Sequence, residues 1–198
     1  MARRSDHTRA ELEQLALDAG WEMLVREGLE AFSARKLAAS IGYSVGTITH
    51  LFGSYDALIL RLNAQTLDTW YEALELGLKR YRGKEPLTQL ARDYLTFSRT
   101  HPHAWMALFT HQLTEGEVLP AWYIAKLQRF FILTESLLLP LLGSQKRRAP
   151  QTARLLWAGI HGIAMLGLSG KLDIVGNVTA EALAIDLVKT YIKGMHTA

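Results

Sequence analysis

The chain has 198 residues, 49% of them hydrophobic and 21% charged, with a formal net charge of +3 and no cysteine. That length and apolar content suffice for one or two globular domains with buried cores, and the lack of cysteine excludes disulfides, thiolate metal sites and cysteine nucleophiles. The positive charge does not gather near the N-terminus: from Met1 to Leu60 six Lys or Arg face eight Asp or Glu, a balance of −2.

Met1 to His7 carries Arg3 and Arg4 and reads as a basic arm able to reach phosphates. No apolar run follows these arginines, so a signal peptide is not expected and a cytoplasmic protein is. Thr8 and Glu11 have capping-box spacing and open a helix with Leu12, Leu15, Ala16, Ala19 and Met23 on one face, ended by Gly28. Two very short helices should follow. Ser33 can cap the first, which carries the stripe Leu37, Ala38 and Ile41, and Phe32 is placed to pack on Leu37. Gly42 suits a left-handed helix end, and Ser44 can cap a second helix over about Val45 to Leu51 with Tyr43 and Ile48 as a second staple. This is the pattern of a helix-turn-helix. Thr47, Thr49 and His50 face outward, and the Val45-Gly46 start lets the backbone approach another surface closely.

Ser54 can cap the next helix, with Asp56 near its positive end, and Leu58, Leu62, Leu67, Trp70, Leu74 and Leu78 carry it to about Tyr81. A helix of that length, ~40 Å, can act as a lever. RYRGKEP, Arg80 to Pro86, is a linker, and Lys79, Arg80, Arg82 and Lys84 read as a solvated helix end. Only helical patterns follow, over about Leu87 to Thr100, Pro102 to Leu113, Glu117 to Leu142, Pro150 to Lys171 and Thr179 to Met195. The expected fold class is all-α: a three-helix head over 1–54, and a larger helical bundle over 55–198. Leu155 to Gly170 has no charged residue but is shorter than the ~20 residues that span a bilayer and holds His161, so a buried core helix is expected and no membrane partner.

The ordered set of Ala19, Gly28, Ser33, Leu37-Ala38, Gly42, Ser44, Gly46-Thr47, Phe52 and Leu58, within Leu15 to Leu58, resembles the DNA-binding domain of TetR-type transcription regulators. Two positions depart from that family's habit: Thr49 stands where an aromatic residue is common, and Tyr55 where Lys is. The WAGIHG segment at Trp157 similarly resembles a C-terminal domain of one branch of the family. The resemblance implies a ligand-responsive regulator, expected to be a repressor, that binds a palindromic double-stranded DNA operator as a homodimer through its last two helices. Thr47, Thr49 and His50 would then meet base edges, while Arg35, Ser44 and Tyr55, with the amides of Val45 and Gly46, would hold phosphates.

Aromatic and apolar residues recur through the second region. Trp70, Tyr94, Trp105, Phe109, Phe130, Trp157, His161 and Met165 are candidates to line a site for a hydrophobic small molecule, with Gly159, Gly162 and Gly167 leaving room beside them. Each ring taken alone reads first as core, and His161 could line the site or hydrogen-bond a buried carbonyl. His101, His103 and His111 lack the i, i+4 spacing and acidic partner of a helical zinc site. GxSxG, HExxH and phosphate-loop motifs are absent, and Gly42-Tyr-Ser44-Val-Gly46 lacks the strand that would present a nucleophilic serine, so no enzyme, cofactor or metal is expected. The acidic balance of the head supports one rival, a helical binding module whose head docks on protein instead of DNA.

Overall fold

The computed structural model describes residues 7–196, so the arm residues Arg3 and Arg4 lie outside the described residues. In chain order the helices are α1 (Arg9–Glu27), α2 (Ala34–Ser40), α3 (Val45–Phe52), α4 (Tyr55–Arg80), α5 (Pro86–Thr100), α6 (Pro102–Thr110), α7 (Ala121–Leu138), α8 (Ala149–Leu168), α9 (Leu172–Val175) and α10 (Ala180–His196). Two 3-10 turns, Leu139–Leu141 and Gly143–Arg148, link α7 to α8, and no strand occurs among the described residues.

Several boundaries differ from the sequence expectation for local reasons. α6 stops at Thr110, short of Leu113, and His111 takes the extended conformation that turns the chain away. α7 starts after Pro120, not at Glu117, since proline disfavours the helical conformation in the residue before it and the Pro120 carbonyl accepts the first bond, from Tyr123 N at 2.9 Å. α8 ends at Leu168, where Ser169 and Gly170 close the helix, and the short α9 follows without having been expected.

The chain separates into two compact units, and the division falls inside α4. One, the head unit, holds Met1–Leu67 and His101–Tyr123; the other, the bundle unit, holds Asp68–Thr100 and Ile124–Ala198. The helix-turn-helix pattern draws the line at 54/55; in the compact units the first half of α4, together with α6, completes the head's core. That core contains Ala16, Met23, Leu24, Phe32, Leu37, Ala38, Ile48, Leu58, Ile59, Leu62 and Ala107. Gly20 lets α1 approach α4: a Cβ there would press on the Leu62 methyls at 3.0 Å. Polar pins hold the same assembly. Trp21 Nε1 donates to Thr66 Oγ1 at 3.0 Å, Asn63 Nδ2 donates to the Ala107 carbonyl at 3.3 Å, and the His103 ring bonds the Arg26 carbonyl at 3.1 Å, satisfying an orphan acceptor at the end of α1.

In the bundle unit α5 packs on both α8 and α10, which also pack on each other. Leu87, Ala91, Leu95, Leu156, Ile160, Ala164, Ala184 and Val188 are buried between them. α8 and α10 come close because residue 159 is glycine; a Cβ there would run into Leu187. Arg92 pairs with Glu181 at 3.0 Å and Lys189 with Glu85 at 3.2 Å, but both pairs are solvent-exposed and contribute little next to the apolar contacts. No described helix is long and apolar enough to cross a membrane.

Candidate nucleic-acid interface and apolar site

The geometry of α2 and α3 follows from their caps. Ser33 accepts from Lys36 N at 3.2 Å and Ser44 from Thr47 N at 3.1 Å. Between them Gly42 N bonds Ala39 O at 3.2 Å and Tyr43 N bonds Ala38 O at 2.9 Å, the paired bonds of a Schellman closure, with Gly42 at φ 76°. Only glycine adopts that φ without strain, so the turn between the two helices is fixed by one residue. Ile48 anchors α3 inward, while Val45, Gly46, Thr49 and His50 are exposed and Thr47 is half-buried. Near Gly46 only Ser44 Oγ lies within reach of a notional Cβ, at 3.6 Å, so the outer approach to the helix start is open.

The outward side chains are partly committed. Thr49 Oγ1 donates to its own helix at Val45 O, 3.2 Å away, and the Thr47 and Ser44 hydroxyls lie 3.0 Å apart. His50 and Arg35 point to solvent on the same pair of helices. Tyr55 is 45% exposed, its ring 6.3 Å from Phe32, and its phenol is pushed above the usual tyrosine range by burial and then by the neighbouring Asp56 carboxylate. It reaches the head surface as a neutral donor where the family more often places a cation.

Neither α2 nor α3 contains an acidic residue, and several of the head's acids hold partners elsewhere. Glu11 closes the capping box with Thr8 N at 2.7 Å, Glu27 pairs with Arg26 and lies 3.6 Å from Lys36, and Glu13 faces Arg61 at 4.0 Å. Asp56 is the most tightly held. Its Oδ1 accepts from His111 Nε2 at 2.9 Å, and its Oδ2 from Thr114 Oγ1 at 2.6 Å and Thr114 N at 3.1 Å. The Thr114 hydroxyl first, and His111 next, hold its carboxyl below the usual range. Sequence reading places Asp56 only as a helix-start acid; the partners lie more than fifty residues on and carry no local signal. His7 Nδ1, 2.9 Å from Tyr43 Oη and 36 residues before it, carries no local signal either.

The aromatic candidates divide between the units. Trp105 and Phe109 pair with ring centroids 4.8 Å apart in the head unit, on α6. In the bundle unit Trp70 gathers Tyr94 at 4.8 Å, Phe97 at 5.4 Å and Phe130 at 4.9 Å. The Tyr94 hydroxyl and His161 Nδ1 share a 2.9 Å hydrogen bond, and His161 stacks on Trp157 at 5.5 Å. Met165 is half-buried one turn farther along α8. Unforeseen from sequence, Asp68 accepts from Lys126 Nζ at 2.7 Å and pairs with Arg129 at 2.8 Å, while the Arg129 guanidinium lies 4.4 Å over Tyr71. His101, His103 and His111 do not converge, and no described cluster of three His, Cys, Asp or Glu could hold a metal.

Burial lowers the His161 pKa, so the imidazole is neutral in the folded bundle near neutral pH. The unfolded chain then binds the extra proton more readily, and stability present above the ordinary histidine value of about 6.5 is lost as pH falls toward the lower folded value. Thermal unfolding of the protein against a His161→Phe variant checks this: the difference between their melting curves should change between about pH 7 and pH 5 in favour of the variant.

The family model described as "Bacterial regulatory proteins, tetR family" matches residues 16–62, and "Tetracyclin repressor-like, C-terminal domain" matches residues 87–191. No curated protein matches the chain significantly. Among solved structures, a protein of unknown function from Rhodococcus sp. RHA1 superposes with a TM-score of 0.73 at 19% identity, covering 98% of each chain. A TetR-like transcriptional regulator from Rhodococcus sp. RHA1 gives 0.61 at 22% identity, covering 97% of this chain and 100% of its own. The multidrug binding protein EbrR, complexed with imidazole, gives 0.62 at 18% identity over 91% of this chain and 94% of its own. At these identities the likeness is one of fold, whereas the C-terminal family match alone spans more than half of the sequence. The capped helix-turn-helix and the helical bundle thus belong together in one scheme, and the chain is a member of the tetR family of transcription regulators, with a DNA-binding helix-turn-helix head and a tetracyclin repressor-like C-terminal domain.

Proposed function

We propose that this regulator acts as a homodimeric repressor, binding a palindromic operator and leaving it when a hydrophobic small molecule enters the bundle unit. The observation that carries the reading is α3: doubly capped, anchored through buried Ile48, free of acidic residues, and open at Val45 and Gly46. Two such helices related by a twofold axis would enter successive major grooves ~34 Å apart. Thr47, Thr49 and His50 are assigned to base edges, and Arg35, Ser44, Tyr55 and the Val45 and Gly46 amides to phosphates. The absence of acidic residues from α2 and α3 favours DNA over a protein partner, since no carboxylate stands on the two reading helices to oppose phosphate.

Dimerisation is assigned to α8 and α10. Leu155, Trp157 and Leu166 are exposed on α8, and Ile163, Leu183, Leu187 and Tyr191 line an open apolar recess on the two helices. The effector is assigned to the aromatic set around Trp70, Tyr94, Phe130, Trp157, His161 and Met165 in the bundle unit, while Trp105 and Phe109 belong to the head unit; the imidazole-bound EbrR supports a small-molecule role for this fold. Ligand and DNA would favour different settings of α4, giving antagonism with a coupling of about 1 to 3 kcal/mol.

Alanine at Thr47 or at His50 should cost roughly 1 to 3 kcal/mol on the specific operator and little on random DNA. Gel-shift titrations of both variants on both DNAs check this. Equal losses on the two sequences would reassign these side chains to phosphate contacts.

A further inference from the structure

The bundle unit contains a partly enclosed cavity of about 310 Å³ that involves none of the aromatic candidates. It lies where α5 and α8 end and α10 begins, walled by Leu95, Ala164, Leu168 and Leu172, with Val178 at its edge and Arg99 and Glu181 at its polar side. At ~30 Å³ per water-sized group, that space holds about ten non-hydrogen atoms.

The polar groups around it are unequal. Ser98 Oγ donates to Leu95 O at 2.9 Å, and Thr179 Oγ1 accepts from Ala182 N at 3.1 Å, so both hydroxyls serve their own helices. The Glu181 carboxylate pairs with Arg92 at 3.0 Å. Arg99, exposed at the end of α5, has no carboxylate partner among the described residues, which leaves one unpaired guanidinium at the mouth of an apolar recess. A planar guanidinium presents paired donors that match a carboxylate, and a single cation calls for a monoanion instead of a phosphate.

We propose that this cavity binds a small straight-chain monocarboxylate, its alkyl chain along Leu95, Ala164, Leu168 and Leu172 and its carboxylate on Arg99. The site is separate from the proposed effector site, and its test does not read operator binding.

The test uses the full-length protein with octanoate, 1-octanol and acetate as probes, by calorimetric titration and thermal shift. Octanoate should bind and raise the melting temperature, octanol should bind about tenfold to a hundredfold more weakly, and acetate should not bind measurably. Arg99→Gln should bring octanoate down to the level of octanol. Val178→Trp, at a position 49% exposed and therefore tolerant of a larger side chain, should obstruct the cavity and weaken both eight-carbon ligands tenfold or more. No octanoate binding at millimolar concentration overturns the proposal. So does octanoate affinity that is unchanged in either variant, which would send the ligand to another part of the protein.

Discussion

Trp70→Ala should lower the unfolding free energy of the bundle unit by about 3 to 5 kcal/mol, a large share of the 5 to 15 kcal/mol that holds a typical domain together. Trp70 is 4% exposed and stands at the centre of Tyr94, Phe97 and Phe130, so its removal leaves three rings facing a void instead of one another. Each aromatic pair of this kind contributes about 0.5 to 1.5 kcal/mol beyond simple burial. The contact chain continues through Phe130 to Tyr71, 5.4 Å away, and to the Arg129 guanidinium above it, so the loss spreads past the first neighbours. A second substitution sharpens the argument. Trp70 Nε1 is buried without a protein hydrogen-bond partner, and Trp70→Phe removes that orphan donor while keeping a ring in place. It should therefore cost clearly less than alanine. Urea unfolding of the three proteins measures both differences; equal costs for Phe and Ala would show that ring packing is not what Trp70 supplies.

Asp56→Ala should destabilise the head unit by about 2 to 4 kcal/mol. Its carboxylate, 12% exposed, takes three hydrogen bonds, two from Thr114 and one from His111, whose own side chain is 8% exposed. Truncation strands those donors away from water and also removes a negative charge from the first turn of α4, where the helix dipole favours it. The pH dependence carries a distinct signature. Because the folded carboxyl titrates below its unfolded value, its contribution is complete above the ordinary aspartate pKa of about 3.9 and is lost as pH falls through the lower folded value. Acid unfolding of the head should lose part of its steepness below about pH 4 in the variant. Far-UV circular dichroism across that range, for both proteins, reads the result, and identical acid profiles would contradict it.

Much of the head was legible in the sequence because its determinants are local. Ser33, Gly42 and Ser44 act on amides and carbonyls within a few residues, so their identities and spacing alone specify α2, the turn and α3. The long α4 was legible from its apolar stripe. What escaped is non-local. Asp56 meets His111 and Thr114, and Asp68 meets Lys126 and Arg129, across separations with no periodicity to betray them. The aromatic candidates show the same limit: composition gathered eight of them into one imagined lining, whereas Trp105 and Phe109 pack in the head unit, and Trp70, Tyr94, Phe130, Trp157 and His161 in the bundle unit. Helical spacing says that a ring faces inward, not which interior it joins. The charge balance is coarse in a related way, since a count of acids does not reveal that Glu11 is a cap or that Glu27 and Asp56 are engaged.

The central claim is that α3 reads DNA in a dimer, and a salt series tests it most directly. Labelled palindromic DNA from beside the protein's own gene, titrated at several salt concentrations against random DNA of equal length, should bind as two chains per site. It should be preferred by at least about a thousandfold, with log affinity falling steeply and linearly against log salt. Equal affinity for both DNAs, or binding to the palindrome that does not change with salt, would contradict the account.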